Sequence, residues 1–141
     1  MFTWGTLPFR RYADFSGRSR RQEFWMFVLF NYFVAFVWGA VVGLVVLLLY
    51  YTDASEDAMM MICWILVIPY AIFSLWAMIP GLAVAVRRLH DLGKSGWAIL
   101  FGLIPIVGGI LLIVWYATEG MRGPNAYGPD PLAADTAQAF A

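Results

Sequence analysis

Charge is scarce in this chain of 141 residues: Asp, Glu, Lys and Arg together make up 13%, against about 25% in soluble domains. There is one cysteine and one histidine. A lone cysteine excludes a disulfide framework and a cysteine-based zinc cage. The sequence offers no His, Cys and carboxylate cluster at metal spacing, so no cofactor is expected. Formal net charge is zero, which argues against nucleic acid as a partner. What the chain has in abundance is apolar surface. Hydrophobic residues reach 62%, aromatics 18%, and mean hydropathy is +0.75. A soluble domain this small needs more polar residues than these to cover its surface. A soluble enzyme and a disordered segment are excluded, and a small multi-pass membrane protein remains.

Three runs carry no charge and no histidine: residues 24–51, 58–86 and 97–117. A bilayer core of about 30 Å needs about 20 helical residues, so each run is long enough to cross once. The expected fold is an all-α membrane protein, a three-helix transmembrane bundle with Pro-kinked helices. Pro69, Pro80 and Pro105 lie inside the runs, where each removes a ladder hydrogen bond. The first run is too long for the apolar segment of a cleavable signal peptide and is expected to be retained. Ser19 and Gln22 have capping-box spacing before the first helix. Gly93 suits the left-handed position that ends the second helix after Leu92, and Ser95 can cap the third.

Sidedness follows from the basic residues. Arg10, Arg11, Arg18, Arg20 and Arg21 precede the first run, and Arg87, Arg88 and Lys94 stand between the second and third. The turn between the first two runs carries only acids, Asp53, Glu56 and Asp57. The positive-inside rule places residues 1–23 and the Arg87–Lys94 loop in the cytoplasm and the acidic turn outside. The membrane domain then covers residues 24–117, followed by a turn-rich tail, 118–141, expected to be disordered after about residue 132. With three spans this tail falls outside with Arg122. Pro105, Gly108 and Gly109 could instead break the third run into a re-entrant hairpin, leaving the tail cytoplasmic and all basic residues inside. The single span is preferred, because irregular backbone at membrane depth needs shielding.

No defensible catalytic constellation appears. Gly93-Lys94-Ser95 resembles the end of a P-loop, but Arg88 stands where the motif needs glycine. His90 and Asp91 are helix neighbours about 100° apart and cannot form a base–orienter pair. An Arg87–Asp91 pair at the interface, with His90 among headgroups, is the simpler reading. A polar or pH-sensitive site facing the bundle is the sharper one. Cys63 lies deep in the second run as a small core residue. Asn31 is expected to hydrogen-bond between helices. Ala35, Gly39 and Gly43 in the first run, and Ala77, Gly81 and Ala85 in the second, repeat small-xxx-small spacing. One contact between the two helices is expected, with a homodimer through Gly39 and Gly43 as the alternative.

Three blocks carry a family resemblance: Phe15-Ser-Gly-Arg-Ser-Arg-Arg-Gln-Glu-Phe-Trp25, Arg87-Arg-Leu-His-Asp-Leu-Gly-Lys-Ser-Gly-Trp97 and Gly123-Pro-Asn-Ala-Tyr-Gly-Pro-Asp-Pro131. In this order they resemble the YhaH-type bacterial inner-membrane family, domain of unknown function 805. Ala98 departs from a frequent aromatic. The resemblance implies an inner-membrane location and assigns no mechanism.

Antiparallel helices bring the first two blocks to one surface, so Arg18, Arg20, Arg21, Glu23, Arg87, Arg88, His90 and Asp91 form a candidate interfacial polar site. At least one contact between the blocks is expected. Arginines there suit anionic headgroups or an acidic partner segment, with Trp25 and Trp97 beside them. The expected role is a non-catalytic lipid- or partner-binding scaffold or accessory module. Its partners would be membrane lipids, a second copy or another membrane protein. A small oligomeric transporter or channel is the alternative, and an interfacial lipid-modifying enzyme using His90 and Asp91 ranks last.

Overall fold

The computed structural model describes residues 2–133, without the side chains of residues 2 and 3. The expected disorder of the last tail residues falls, from residue 134 onward, outside the described residues. All regular elements named here are helical. A short helix α1 (Phe2–Arg10) precedes two long helices, α2 (Arg21–Tyr51) and α3 (Glu56–Asp91). A 3₁₀ helix (Gly96–Leu103) and helix α4 (Val107–Ala117) complete the described order.

Helices α2 and α3 are apolar along windows whose side chains are not buried inside the protein. At about 1.5 Å per residue, each is longer than a bilayer core of about 30 Å. Ser55 caps α3 by accepting from the Ala58 N–H at 3.3 Å. The helix runs without interruption through Pro69 and Pro80. Its end matches the sequence expectation. Gly93 has φ +69°, its N–H donates to His90 O at 3.0 Å, and the Lys94 N–H donates to Leu89 O at 2.9 Å. These two bonds are the Schellman arrangement, which satisfies carbonyls a helix end would leave orphaned.

Helix α1 was not anticipated within the basic N-terminal segment. It packs across the start of α2 and the second half of α3: Phe9 stacks on Trp76 at 4.7 Å and lies 5.2 Å from the Phe27 ring. Pro8 is fully buried. Only nine residues long, α1 is too short for a strong periodic signal, and tertiary packing supplies its stability.

The third apolar run corrects the preferred reading. It is not one helix but two arms folded back on each other. Ser95 caps the 3₁₀ arm by accepting from the Trp97 N–H at 3.4 Å, as expected. Pro105 then lies at the turn rather than inside a helix, and the Val107 N–H donates to Pro105 O at 2.7 Å. Ile106 between them has φ +64° and ψ −64°, the rare and strained form of γ-turn. Gly108 permits the reversal, since a Cβ there would collide with Phe101 O. The Phe101 and Trp115 rings meet edge-on at 5.6 Å across the arms. Both ends of the hairpin therefore lie beside the end of α3, as in the re-entrant alternative.

The small-residue stripes also differ from expectation. Ala77 and Ala85 are buried, and Gly81 faces the Phe27 ring of α2. Ala35 is half-buried, while Gly39 and Gly43 are exposed, with nothing within 4 Å of where a Cβ would stand. The glycines of α2 thus make no close contact with α3. Phe27, a full side chain, fills the α3 groove instead.

Candidate functional site: a polar assembly at one end of the bundle

The buried residues concentrate where α2 begins and α3 ends. Phe24, Phe27, Val84, Ala85, Leu89 and Tyr116 form an apolar cluster. Directly beside it lie Arg18, Ser19, Glu23, Arg87, Arg88 and Asp91, all buried. Charges removed from water need partners and satisfied hydrogen-bonding groups. Here each finds a counter-charge or a hydrogen-bonding partner, with the one exception of Arg87 Nε among the described residues.

The two basic blocks meet through two ion-pair centres. In the first, Arg87 Nη2 donates to Glu23 Oε1 at 2.9 Å, and the Ser19 hydroxyl donates to Glu23 Oε2 at 2.6 Å. The Ser19 N–H donates to Arg87 O at 3.1 Å, and Arg87 Nη1 reaches Asp14 O at 2.5 Å. Ser19 is consequently not a cap. The Ser19 hydroxyl is committed to Glu23, and the N-cap of α2 is Arg20, which makes no side-chain cap bond because a guanidinium has no acceptor. Arg87 Nε is buried without a hydrogen-bond partner.

Asp91 is the second centre. Arg18 Nε donates to its Oδ1 at 2.9 Å, and Arg88 Nη1 donates to its Oδ2. The anticipated Arg87–Asp91 pair is absent, because Arg87 is turned to Glu23 and Asp91 is shared by Arg18 and Arg88. Arg88 also holds the end of α4, with Nε donating to Tyr116 O at 3.2 Å and Nη2 to Thr118 O. Arg21 Nη1 adds a bond to Ala117 O at 3.3 Å, and Trp25 Nε1 adds one to Tyr116 O at 3.3 Å. Helix C-termini present orphan carbonyls and partial negative charge. Those of α4 are met by two guanidiniums and an indole, which fixes the return of the hairpin.

The tail is bound at the same place. Arg18 Nη1 donates to Gly123 O at 2.5 Å, and its Nη2 donates to Met121 O. The Met121 N–H donates to Asp91 O at 2.9 Å, and a Cβ on Gly120 would collide with the Asp91 carboxylate. His90 stacks on Tyr127 with centroids 3.9 Å apart. Its Nδ1 lies 3.2 Å from Gly17 O, and since a carbonyl only accepts, this nitrogen is the donor in that bond. Asn125 Nδ2 donates to His90 O at 2.8 Å. Asp130 accepts from the N–H groups of Leu132 and Gly123, which hold its carboxyl below the ordinary carboxylate range.

Arg20 and Arg21 differ from the buried arginines. With Gln22, Arg88, Asp91, Glu119, Asp130 and Pro131 they line a crevice of about 240 Å³. Arg20 also reaches Pro131 O and lies 5.6 Å above the Trp4 ring. No group of three or more His, Cys, Asp or Glu residues is placed to hold a metal among the described residues. Asn31 donates to Phe27 O of its own helix at 2.9 Å, not across helices. Ser19, Thr118 and the carbonyls of the tail were missed by sequence reasoning. Of these only Ser19 carried a signal, and it pointed to a cap.

All three sequence blocks thus converge on one assembly, and the comparisons cover the same extent. The family described as "Protein of unknown function (DUF805)" matches residues 12–129. The chain belongs to this family. It is 39% identical over 131 residues to inner membrane protein YhaI of Escherichia coli strain K12, covering 91% of this chain and 94% of that protein. It is 34% identical over 128 residues to inner membrane protein YhaH of the same strain, covering 91% and 95%. No solved structure matches it. For a DUF805 chain, the geometry gives the three blocks a common role. They close charge against charge and lash hairpin and tail to the paired helices.

Proposed function

We propose that the chain is a non-catalytic inner-membrane scaffold whose cytoplasmic end binds anionic lipid headgroups or an acidic partner segment. Its N-terminus lies in the cytoplasm, α2 and α3 cross the bilayer, and the hairpin of residues 96–117 enters and leaves by the cytoplasmic side. The names of the E. coli relatives and the apolar lengths of α2 and α3 support the location. The basic residues support the orientation. Arg10, Arg11, Arg18, Arg20, Arg21, Arg87, Arg88, Lys94 and Arg122 all belong to the end where α2 begins and α3 ends, and Asp53, Glu56 and Asp57 belong to the other.

One observation carries the non-catalytic reading. Glu23 and Asp91, the buried acids of the assembly, are held by Arg87 with Ser19 and by Arg18 with Arg88, so neither is available as a general base. Binding falls to the crevice at Arg20 and Arg21, where guanidiniums suit phosphate oxygens. The test is lipid retention. Protein extracted in mild detergent is expected to keep phosphatidylglycerol or cardiolipin, measured by mass spectrometry, and to lose most of it in the Arg20→Gln, Arg21→Gln variant. Equal retention by a folded variant would remove the crevice from the account. A reporter fused after Ala141 is expected to read out in the cytoplasm.

A further inference from the structure

The molecule is unequal from end to end. Among the described residues, the cross-section around the basic end contains α1, α2, α3, the 3₁₀ arm and α4, and that around the acidic end contains α2 and α3 alone. The arms of the hairpin have matched lengths. Eight residues of 3₁₀ helix rise about 16 Å at ~2.0 Å each, and eleven residues of α4 rise about 16 Å at ~1.5 Å each. That is half of a hydrocarbon core of about 30 Å.

The surface of the hairpin fits one leaflet in its chemistry as well. Its tip and sides are bare hydrocarbon: Leu103, Ile104, Ile106, Val107, Ile110 and Ile113 are all exposed. Its base carries Trp97, exposed, and Lys94 above the Trp115 ring at 4.4 Å, the residue types that settle at headgroup level. The strained γ-turn at Ile106 is what makes so short a reversal possible, and it keeps the tip narrow and apolar. Acyl chains are the occupant this surface is built for.

We infer that the hairpin and α1 make the protein a one-leaflet wedge, wider in the cytoplasmic leaflet than in the opposite one, which responds to membrane curvature and lateral packing. The inference rests on the re-entrant placement proposed above and goes beyond it. An inclusion that adds area to one leaflet alone is accommodated best where that leaflet is expanded, so binding surfaces of this kind are curvature-sensitive. The protein should accumulate where the bilayer is convex toward the cytoplasmic face and be depleted where it is concave.

The experiment uses the full chain in giant vesicles of phosphatidylcholine and phosphatidylglycerol, with membrane tubes pulled outward. In a Cys63→Ser background, Arg122→Cys or Asp57→Cys is labelled from outside with an impermeant fluorophore. Each label then reports one orientation. The tube-to-vesicle density ratio is expected above one for molecules labelled at position 122 and below one for those labelled at position 57. Leu103→Ala with Ile106→Ala, which thins the exposed hairpin without removing a buried contact, should move both ratios toward one. Equal ratios in the two orientations overturn the wedge. A separate labelling arm tests the placement beneath it: Lys94→Cys and Arg122→Cys should react from the same side and Asp57→Cys from the other. Failure of that arm overturns both the re-entrant placement and the wedge. Its success with orientation-independent ratios overturns the wedge alone.

Discussion

The two ends of the paired helices are held by different means. Where α2 begins and α3 ends, buried charge, buried carbonyls and packed aromatics are interlocked, and Arg87, Arg88, Val84 and Leu89 are almost wholly inaccessible. Toward the acidic turn, large side chains such as Phe36, Leu44, Met60, Trp64 and Ile68 stand exposed. The bonds between helices there include Trp38 Nε1 to Leu66 O at 3.0 Å. Among lipid chains there is no hydrophobic gain in hiding one apolar side chain behind another, so packing and hydrogen bonds decide where helices adhere. The specific structure of this protein is concentrated at the polar end, and the far end is chiefly a pair of long apolar helices.

The largest expected effect comes from breaking the polar end at its hub. Asp91→Asn leaves Arg18 and Arg88 buried without their shared counter-charge. Removing one member of a buried pair costs about 3–5 kcal/mol, so thermal unfolding in detergent should show a strongly lowered midpoint. A shift as small as that of a lipid-facing substitution would mean that the end is not the organising region. Gly120→Ala tests the same hub from the tail side. The new methyl group collides with the Asp91 carboxylate, and overpacking of this kind costs about 1–3 kcal/mol. Hydrogen exchange over residues 118–131 should rise more than exchange in α2.

How much of this was legible beforehand depended on whether the signal was local. The Gly93 stop and the Ser95 cap could be read because each needs only neighbouring residues. The meeting of the two basic blocks followed from antiparallel helices and the charge pattern. The sequence ranks the hairpin second, because irregular backbone at membrane depth needs shielding and composition does not reveal what supplies it. What decides it is the distant reception of α4 carbonyls by Arg21, Trp25 and Arg88. Ser19 misled for a similar reason. Its capping pattern is local, while its actual partner, Glu23, is set by Arg87 far along the chain. Helix α1 was missed because nine residues containing Pro8 and Gly5 carry little helical signature of their own.

A smaller effect separates the exposed fringe of the polar end from its interior. Asp14 is held down to about 2 from 3.8, first by the Ser16 hydroxyl and then by Arg11. Because the folded value lies below the unfolded one, this contribution is present above about pH 3.8 and is lost as pH falls through about 2. The Arg11–Asp14 pair is 37% exposed on each side, so its worth should stay within the ~0–1 kcal/mol of surface bridges. The stability difference between wild type and Asp14→Asn should be constant above pH 4 (about the ordinary carboxylate value) and shrink in stronger acid. A difference that persists unchanged to pH 2 (about the lowered value) would place the effect elsewhere than in the Asp14 charge.

The smallest expected effect is the one that most sharply tests the contrast between the ends. Gly39 and Gly43 have the spacing of a helix-packing motif, yet no atom stands within 4 Å of a Cβ built on either. If lipid covers this face, Gly39→Ile and Gly43→Ile add branched side chains to open space and touch no helix. Such substitutions stay within about 0.5 kcal/mol, partly because replacing glycine inside a helix is itself favourable. Thermal midpoint and oligomeric state, followed by unfolding in detergent and by light scattering, should match wild type. Loss of a dimer or a marked fall in midpoint would show that a second copy covers these glycines. The far end would then be a packed region in the assembled protein, and the difference between the two ends would belong to the single chain alone.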